Sequence, residues 1–347
     1  MPNDRESGAV APLGHYLKAT LARFDPWLKP LPDDRRAPVT EIAVNRPGEV
    51  WVERQGGAME RVADAVARTF TETYLATLAR QIAAHTGQAV SSAAPLLAAT
   101  LPGGERIQIV RPPASPDGHA LAIRRAVLCR PDLASYARTG AFADTCADGS
   151  DVERERAHLR ELQDRQDWTG FLRAAVHARL NIVISGGTSS GKTTFLNALL
   201  AEIDPTDRVV SLEDTREIAV AHPNRVHLVA ARNGALAMTD LLEASLRLRP
   251  DRLILGELRG AEAFAYLRAV NTGHPGSLTT VHASSPDGAV DQIALMALQA
   301  GQGLSRDDIL GLVERMVDVI VQVGRAGPRR GVSTVWYRHA THEARAA

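Results

Sequence analysis

Cysteine is nearly absent from this 347-residue sequence, with only Cys129 and Cys146 present. Two thiols cannot build a disulfide scaffold or a four-cysteine zinc site, and a reducing, cytosolic compartment is the expectation. Aromatic residues are also scarce, at 4% of the chain, and forty basic residues are balanced by forty acidic ones. A protein that coats nucleic acid or stacks on bases needs a basic, aromatic surface, so this composition argues against one. No run approaches the ~18 apolar residues of a membrane-spanning helix. The first residues, MPNDRESGAVAPLGHYL, show no basic segment leading into an apolar one, and no secretory signal is predicted. Lysine is the scarcest charge: of the forty basic residues only Lys18, Lys29 and Lys192 are lysines. Lys192 therefore stands out, because a compact charge on a flexible stem is what arginine does not copy.

What is present is ordinary for a globular protein, with 45% hydrophobic and 23% charged residues. The length suggests two domains. Leu13, Tyr16, Leu17, Leu21 and Phe24 fall at helical spacing, and a connector containing Pro26, Pro30, Pro32 and Pro38 follows. EIAVNRPGEVWVE reads as a hairpin turning at Pro47-Gly48, and GERIQIV and HALAIRR read as short strands. Met59, Val62, Val66, Phe70, Tyr74, Leu78 and Ile82 make one apolar stripe that predicts a single helix from about 58 to 85. Residues 1–145 are thus expected to form a smaller α+β domain, and the charge-rich stretch 146–168 a linker. In 169–347, the apolar runs LNIVIS, RVVSL, RLILG, SLTTV and VDVIVQV alternate with helical segments. That pattern predicts a doubly wound, mostly parallel sheet, whose ligands bind beyond the carboxyl ends of its strands.

Residues Gly186, Gly187, Thr188, Ser189, Ser190, Gly191, Lys192 and Thr193 match the phosphate-loop spacing G-x-x-x-x-G-K-[S/T] at every fixed position. A strand leads in, and the helix TTFLNALLAEI, beginning at Thr193, leads out, with Thr194 also expected at the nucleotide. Small residues let backbone N–H groups wrap a phosphate chain at a helix N-terminus. Lys192 is expected on the β- and γ-phosphates and the Thr193 hydroxyl on Mg²⁺. Two strands deliver acids to the same sheet edge: RLILG brings Glu257, and RVVSL brings Glu213 and Asp214. Asp251 precedes its strand and should lie on the opposite edge, roughly 17–20 Å away. The strand SLTTV carries His282 to the phosphate edge, and a glycine-framed turn holds His274. No cluster of His, Cys and carboxylate residues has the spacing of a protein-held zinc or iron site.

The boxes GGTSSGKTT, SLEDTREI, ASLRLRPDRLILGELRG and GHPGSLTTVHA, in this order, resemble the Walker A, Asp, Walker B and His boxes of the type II/IV secretion ATPase superfamily. The upstream stretches EIAVNRPGEVWVE, LPGGERIQI and LAIRR are similar to those of the VirB-system traffic ATPases of type IV secretion and conjugation. The resemblance implies a RecA-like P-loop domain and a homo-hexameric ring that hydrolyses ATP with Mg²⁺. It further implies partners among other secretion-system ATPases and inner-membrane channel components, with peripheral attachment to the cytoplasmic face of the inner membrane. Sequence-specific contact with nucleic acid is not implied. By the same resemblance Glu257 is the Walker B acid (reaching Mg²⁺ through water), Glu213 the Asp-box acid and His282 the His-box residue. Arg106, Arg124 and Arg125 stand in motifs whose arginines reach the nucleotide phosphates. Two cysteines cannot form the four-cysteine loop of type II members, which favours the type IV branch. The linker leaves open whether residues 1–145 cover their own nucleotide or a neighbour's. A RecA-type nucleic-acid motor and an ATP-bound scaffold without turnover remain alternatives at this stage.

Overall fold

The computed structural model describes residues 7–29, 36–127, 132–143, 145, 150–231, 236–327 and 329–340. Cys129, Cys146, Pro30, Pro32 and the boundary expected between 145 and 146 lie outside or at the limit of those residues. Two sheets organise the chain.

The first sheet has six strands in the order β3-β2-β1-β6-β5-β4. Helix α1 (Ser7–Leu21) and the single turn α2 (Asp25–Leu28) precede it, joined by a 3-10 turn at Ala22–Phe24. β1 (Val39–Arg46) and β2 (Glu49–Arg54) form the expected antiparallel hairpin, with Val44 opposite Val50. The single helix expected over 58–85 is corrected. Its first part is a strand, β3 (Met59–Arg61), paired with β2, followed by the one-turn α3 (Asp64–Ala67). Only α4 (Glu72–His85) is a full helix, and it starts where the Thr71 hydroxyl accepts from the Tyr74 amide. The Gly56-Gly57 turn lets Met59 pair back onto Glu53, so ladder hydrogen bonds override a helical apolar period that Val62 and Val66 continue by coincidence. β4 (Leu96–Thr100), β5 (Arg106–Val110) and β6 (Ala120–Arg124) complete the sheet. Phe24, Trp27, Phe70, Leu75, Leu78 and Ile82 fill the core between helices and sheet.

A short helix, α5 (Leu133–Arg138), and the charged α6 (Ser150–Asp164) lead to α7 (Trp168–His177). α6 is largely solvated, as its charge predicts, yet Leu159 is buried against Phe171 and its neighbours.

The second sheet contains β7 (Ile182–Ser185), β8 (Val209–Glu213), β9 (Arg225–Val229), β10 (Arg252–Leu255), β11 (Leu278–Val281), β12 (Val319–Ala326) and β13 (Arg329–Tyr337). Their order is β13-β12-β7-β11-β10-β8-β9, parallel throughout except for the antiparallel β12–β13 hairpin. The five strands expected from apolar runs are all present. β9 and β13 are additions, and β13 has no apolar run to announce it because Arg329–Ser333 are exposed. Helices α8 (Lys192–Leu200), α9 (Met238–Leu246), α10 (Glu262–Asn271), α11 (Pro286–Leu298) and α12 (Arg306–Met316) flank the sheet. The strands are buried on both faces, so their sequences read as continuous apolar runs.

The two sheets share a core: Val110, Ala114, Ala120 and Ala122 pack with Leu228, Leu236, Leu241 and Leu242. A buried polar group accompanies it. Fully buried Arg208 donates to Asn45 Oδ1, to Asn224 Oδ1 at 2.6 Å and to the Leu248 carbonyl at 2.8 Å. Among the described residues no helix is long and apolar enough to cross a membrane.

Candidate functional site

β7, β8, β10 and β11 run parallel, so their carboxyl ends present Gly186, Glu213, Glu257 and His282 along one edge. A cavity of about 500 Å³ opens there. Thr188 to Thr194, Glu213, Glu257 and His282 line it, together with Asp214, Glu217, Arg259, Thr280 and Arg330. Four regions distant in sequence meet because the doubly wound topology brings strand ends together.

The phosphate-type loop needs its glycines. A Cβ at Gly186 would lie 2.5 Å from Ser190 Oγ and 2.5 Å from the Val323 carbonyl oxygen, so β12 presses directly on the loop. Gly191 sits at φ +96°, a left-handed conformation that favours glycine, and caps the start of α8. Ser189 also adopts a positive φ, 60°. The loop backbone is thus turned sharply between strand and helix, leaving a helix N-terminus open to the cavity.

Lys192 folds back into this loop. Its Nζ donates to the carbonyls of Gly186 at 3.0 Å and Gly187 at 3.3 Å, and lies 3.1 Å from His282 Nδ1. Burial draws its pKa below the ordinary lysine value, opposed by the charge of Glu257 and aided by that of Arg259. His282 Nε2 in turn stands 2.6 Å from Glu257 Oε1, an ion-pair distance without an aligned hydrogen bond. Glu257 Oε2 accepts from Arg259 Nε at 2.7 Å, and the same guanidinium reaches Asp214 Oδ2 at 2.6 Å. Lys192, His282, Glu257 and Arg259 therefore form one continuous chain of contacts.

Glu213 stands apart from that chain. Its Oε1 accepts from the amides of Glu217 at 2.8 Å and Ile218 at 2.7 Å, which fixes the carboxylate and shapes the loop after β8. Burial raises its pKa above the usual carboxylate value, against the lowering by those two amides. Gly256 makes room for it, since a Cβ there would meet Glu213 Cγ at 3.2 Å. The Thr193 hydroxyl points into the cavity and lies 3.4 Å from Glu217 Oε2.

Three polar atoms of this edge, Ser190 Oγ, Glu213 Oε2 and Glu257 Oε1, are buried with no hydrogen-bond partner among the described residues. Buried polar atoms are costly unless satisfied. A loop of convergent amides, one ammonium and two carboxylate oxygens awaiting a donor or a cation suit a polyphosphate with a divalent ion.

Sequence reasoning located Lys192, Thr193, Glu213, Glu257 and His282 on this edge, and the structure brings all five together. Asp251 lies at the opposite edge, where its Oδ2 accepts from the Arg208 amide at 2.8 Å, and His274 contacts the Ala269 carbonyl in its turn. Arg106, Arg124 and Arg125 do not line the cavity. Arg106 and Arg124 face each other across β5 and β6 and are exposed, and the Arg125 amide donates to Thr40 O. Arg259, Glu217 and Arg330 were missed. Arg259 and Glu217 fall within boxes already recognised, whereas Arg330 sits on a strand with no signature.

A family model described as type II/IV secretion system protein matches residues 151–344. The VirB11 type IV secretion protein of Bartonella quintana is 38% identical over 316 residues, 86% of this chain and 87% of its own. PtlH, a type IV secretion protein of Bordetella pertussis, is 38% identical over 351 residues, 97% of this chain and 98% of its own. The crystal structure of the Brucella suis VirB11 ATPase with sulphate superposes with a TM-score of 0.84 at 36% identity, covering 95% of this chain and 96% of that one. A family match over more than half the chain, joined to relatives alike from end to end, has one reading: the chain belongs to the type II/IV secretion system protein family, among its VirB-system traffic ATPases.

Proposed function

We propose that this protein hydrolyses ATP as a homo-hexameric ring and couples the reaction to pilus assembly and substrate passage in a type IV secretion machine. The observation that carries the reading is the meeting of Lys192, Thr193, Glu257, Glu213 and His282 in one cavity beyond four parallel strand ends. In this reading residues 1–145 and 169–347 act as two domains of a RecA-like motor joined by 146–168. Its partners are other secretion ATPases and inner-membrane channel components, and it attaches peripherally to the cytoplasmic face through them. Relatives from Bartonella and Bordetella are named as type IV secretion proteins, which supports the assignment.

The triphosphate occupies the loop Gly186–Thr193, where backbone amides donate to the β-phosphate oxygens. Lys192 exchanges the carbonyls of Gly186 and Gly187 for phosphate oxygens, a stronger pairing for an ammonium. The Thr193 hydroxyl, and Glu257 through water, would hold a Mg²⁺ ion, which would supply charge neutralisation to the phosphates when bound. Glu257 orients the attacking water and takes its proton as the γ-phosphorus–oxygen bond to ADP breaks. His282, between Lys192 and Glu257, couples occupancy by phosphate to the position of that carboxylate. Glu213, held by the Glu217 and Ile218 amides, offers Oε2 to the water shell of the site. Arg106, Arg124 and Arg125 reach the phosphates only from residues 1–145 of a closed or neighbouring subunit.

The test separates binding from turnover. Lys192→Ala is expected to lose nucleotide binding measured by titration calorimetry. Glu257→Gln is expected to bind ATP normally and to hydrolyse it about 10²–10⁴-fold more slowly. Full turnover by Glu257→Gln would remove that residue from its role. Normal secretion by both variants would replace the motor with a scaffold in which nucleotide is structural.

A further inference from the structure

The cavity has a second flank that the proposed chemistry does not use. In the strand order, β11, β10 and β8 lie on one side of β7 and deliver His282, Glu257 and Glu213. On the other side lie β12 and β13. β12 runs alongside β7 until Gln322 faces Ser185, where β7 ends, and then continues beside the loop, with the Val323 carbonyl against Gly186. Its returning strand brings Arg330 into the cavity lining. The Arg330 Cδ lies 3.4 Å from where a Gly191 Cβ would stand, so its guanidinium hangs beside the start of α8.

The charge around Arg330 is uncompensated. Of the two arginines lining the cavity, Arg259 is bound by Glu257 and Asp214, while Arg330 has no carboxylate within ion-pair distance among the described residues. Its direct cross-strand partner is another exposed cation, Arg325, and Arg329 follows on the same tip. Like charges directly opposite one another destabilise a strand pair. A hairpin that holds such a pair at the mouth of a phosphate-type loop is suited to an anion that neutralises it.

We infer that Arg330 is a nucleotide-binding residue that grips the α-phosphate and nucleoside end of the bound nucleotide. The inference rests on the ATPase reading above and extends it. The γ-phosphate must face Glu257 and His282, so the triphosphate crosses the loop away from that flank. Its other end then emerges toward β12 and β13. An extended guanidinium there can pair with an α-phosphate oxygen and lie against the ribose or base. Lys192 and the loop amides, by contrast, serve the β- and γ-phosphates.

Two ligands separate the ends. The full-length chain is titrated with Mg·ADP and with Mg·pyrophosphate, which supplies two phosphates for the β- and γ-positions and lacks both the nucleoside and a third phosphate for the α-position. Arg330→Ala is expected to weaken Mg·ADP about tenfold and Mg·pyrophosphate less than about twofold. Arg330→Lys, which keeps the charge and loses the fork, should recover part of the ADP loss. Because Arg330 is exposed and faces Arg325, its loss should not lower the ligand-free melting transition. Unchanged ADP affinity in Arg330→Ala, or an equal loss for both ligands, overturns the inference. Lys192→Ala is the control for the underlying reading: its loss of both ligands with an unaffected Arg330→Ala sinks the Arg330 assignment alone. A wild-type chain that binds neither ligand sinks both.

Discussion

Replacing Gly186 with alanine tests how β12 and the phosphate-type loop support each other. The added Cβ would lie 2.5 Å from Ser190 Oγ, 2.5 Å from the Val323 carbonyl oxygen and 2.9 Å from Val323 Cγ2. Ser190 can swing its hydroxyl aside by a rotamer change. The Val323 carbonyl cannot, since Val323 is paired with β13 and follows directly on Gln322, which is paired with β7. Ordinary carbon–oxygen contact requires about 0.9 Å more room, which the sheet supplies only by separating β12 from β7 at the loop. Overpacking of this kind costs roughly 1–3 kcal/mol, and the backbone partner puts Gly186→Ala at the upper end. For a cooperative unit of this size that is a fall of about 6–10 °C in melting temperature. Gly187→Ala is the matched control, because its Cβ would meet nothing within 4 Å and its φ is not in the left-handed region. Differential scanning calorimetry of the two variants without nucleotide decides the matter. If Gly186→Ala melts with Gly187→Ala and the wild type, β12 does not brace the loop and the steric argument is wrong.

Two further outcomes follow from buried charges between the sheets. Burial lifts Glu41 from 4.5 to about 7, with Arg124 and Arg208 pulling it back only in part. A raised carboxylate binds its proton more tightly folded than unfolded, so stability is lost as pH rises from 4.5 to 7 and no further above it. Glu41→Gln should therefore match the wild type near pH 4.5 and exceed it by roughly 3 kcal/mol at pH 8 in urea unfolding, and a pH-independent gap would refute the assignment. His227, depressed by burial to about 4, contributes the opposite slope below its ordinary 6.5, which is why the variant difference and not the raw curve is the observable. Arg208→Met should cost about 1–3 kcal/mol, because buried Asn45 Oδ1 loses its donor and Asn224 Oδ1 keeps only Asn45 Nδ2. A variant as stable as the wild type would show that Arg208 does not hold the sheets together.

The site was legible in the sequence to the extent that parallel strands write themselves as apolar runs. LNIVIS, RVVSL, RLILG and SLTTV each end at the residue directly before Gly186, Glu213, Glu257 and His282, so strand end and chemical residue could be read together. Lys192 was doubly marked by its spacing and by the near absence of other lysines. The stripe from Met59 to Ile82 was misread because a helical period does not reveal that Gly56-Gly57 has turned the chain onto β2. β13 was silent for a different reason: an exposed hairpin arm carries no hydrophobic pattern, and its place beside the loop comes from pairing with β12. The three N-terminal arginines show the limit of motif reasoning. Their motifs are intact, yet a single chain leaves Arg106 on β5, Arg124 at the end of β6 and Arg125 just after it, outside the cavity lining.

How the first sheet bears on the site can be argued from magnitudes. The loop after β8 is shaped by Glu213, which binds the amides of Glu217 and Ile218, and Arg216 within it reaches Asp117 on the first sheet's side at 2.8 Å. That ion pair is partly exposed and contributes at most about 1 kcal/mol. The backbone bond from the Val229 amide to Ala114 O, at 2.8 Å, joins the same two sides. Neither compares with the apolar contact of Val110, Ala114, Ala120 and Ala122 against Leu228, Leu236, Leu241 and Leu242, nor with buried Arg208. Four or more well-buried aliphatic side chains outweigh the ion pair several-fold at roughly 25 cal/mol per Å². A displacement of the first sheet large enough to carry Arg106 or Arg124 onto a phosphate of its own chain must open that apolar contact and strand the Arg208 guanidinium. In the proposed ring a neighbour's first sheet would have no such contact to break, so Arg106 or Arg124 is predicted to reach a phosphate at lower cost across a subunit boundary than within one chain.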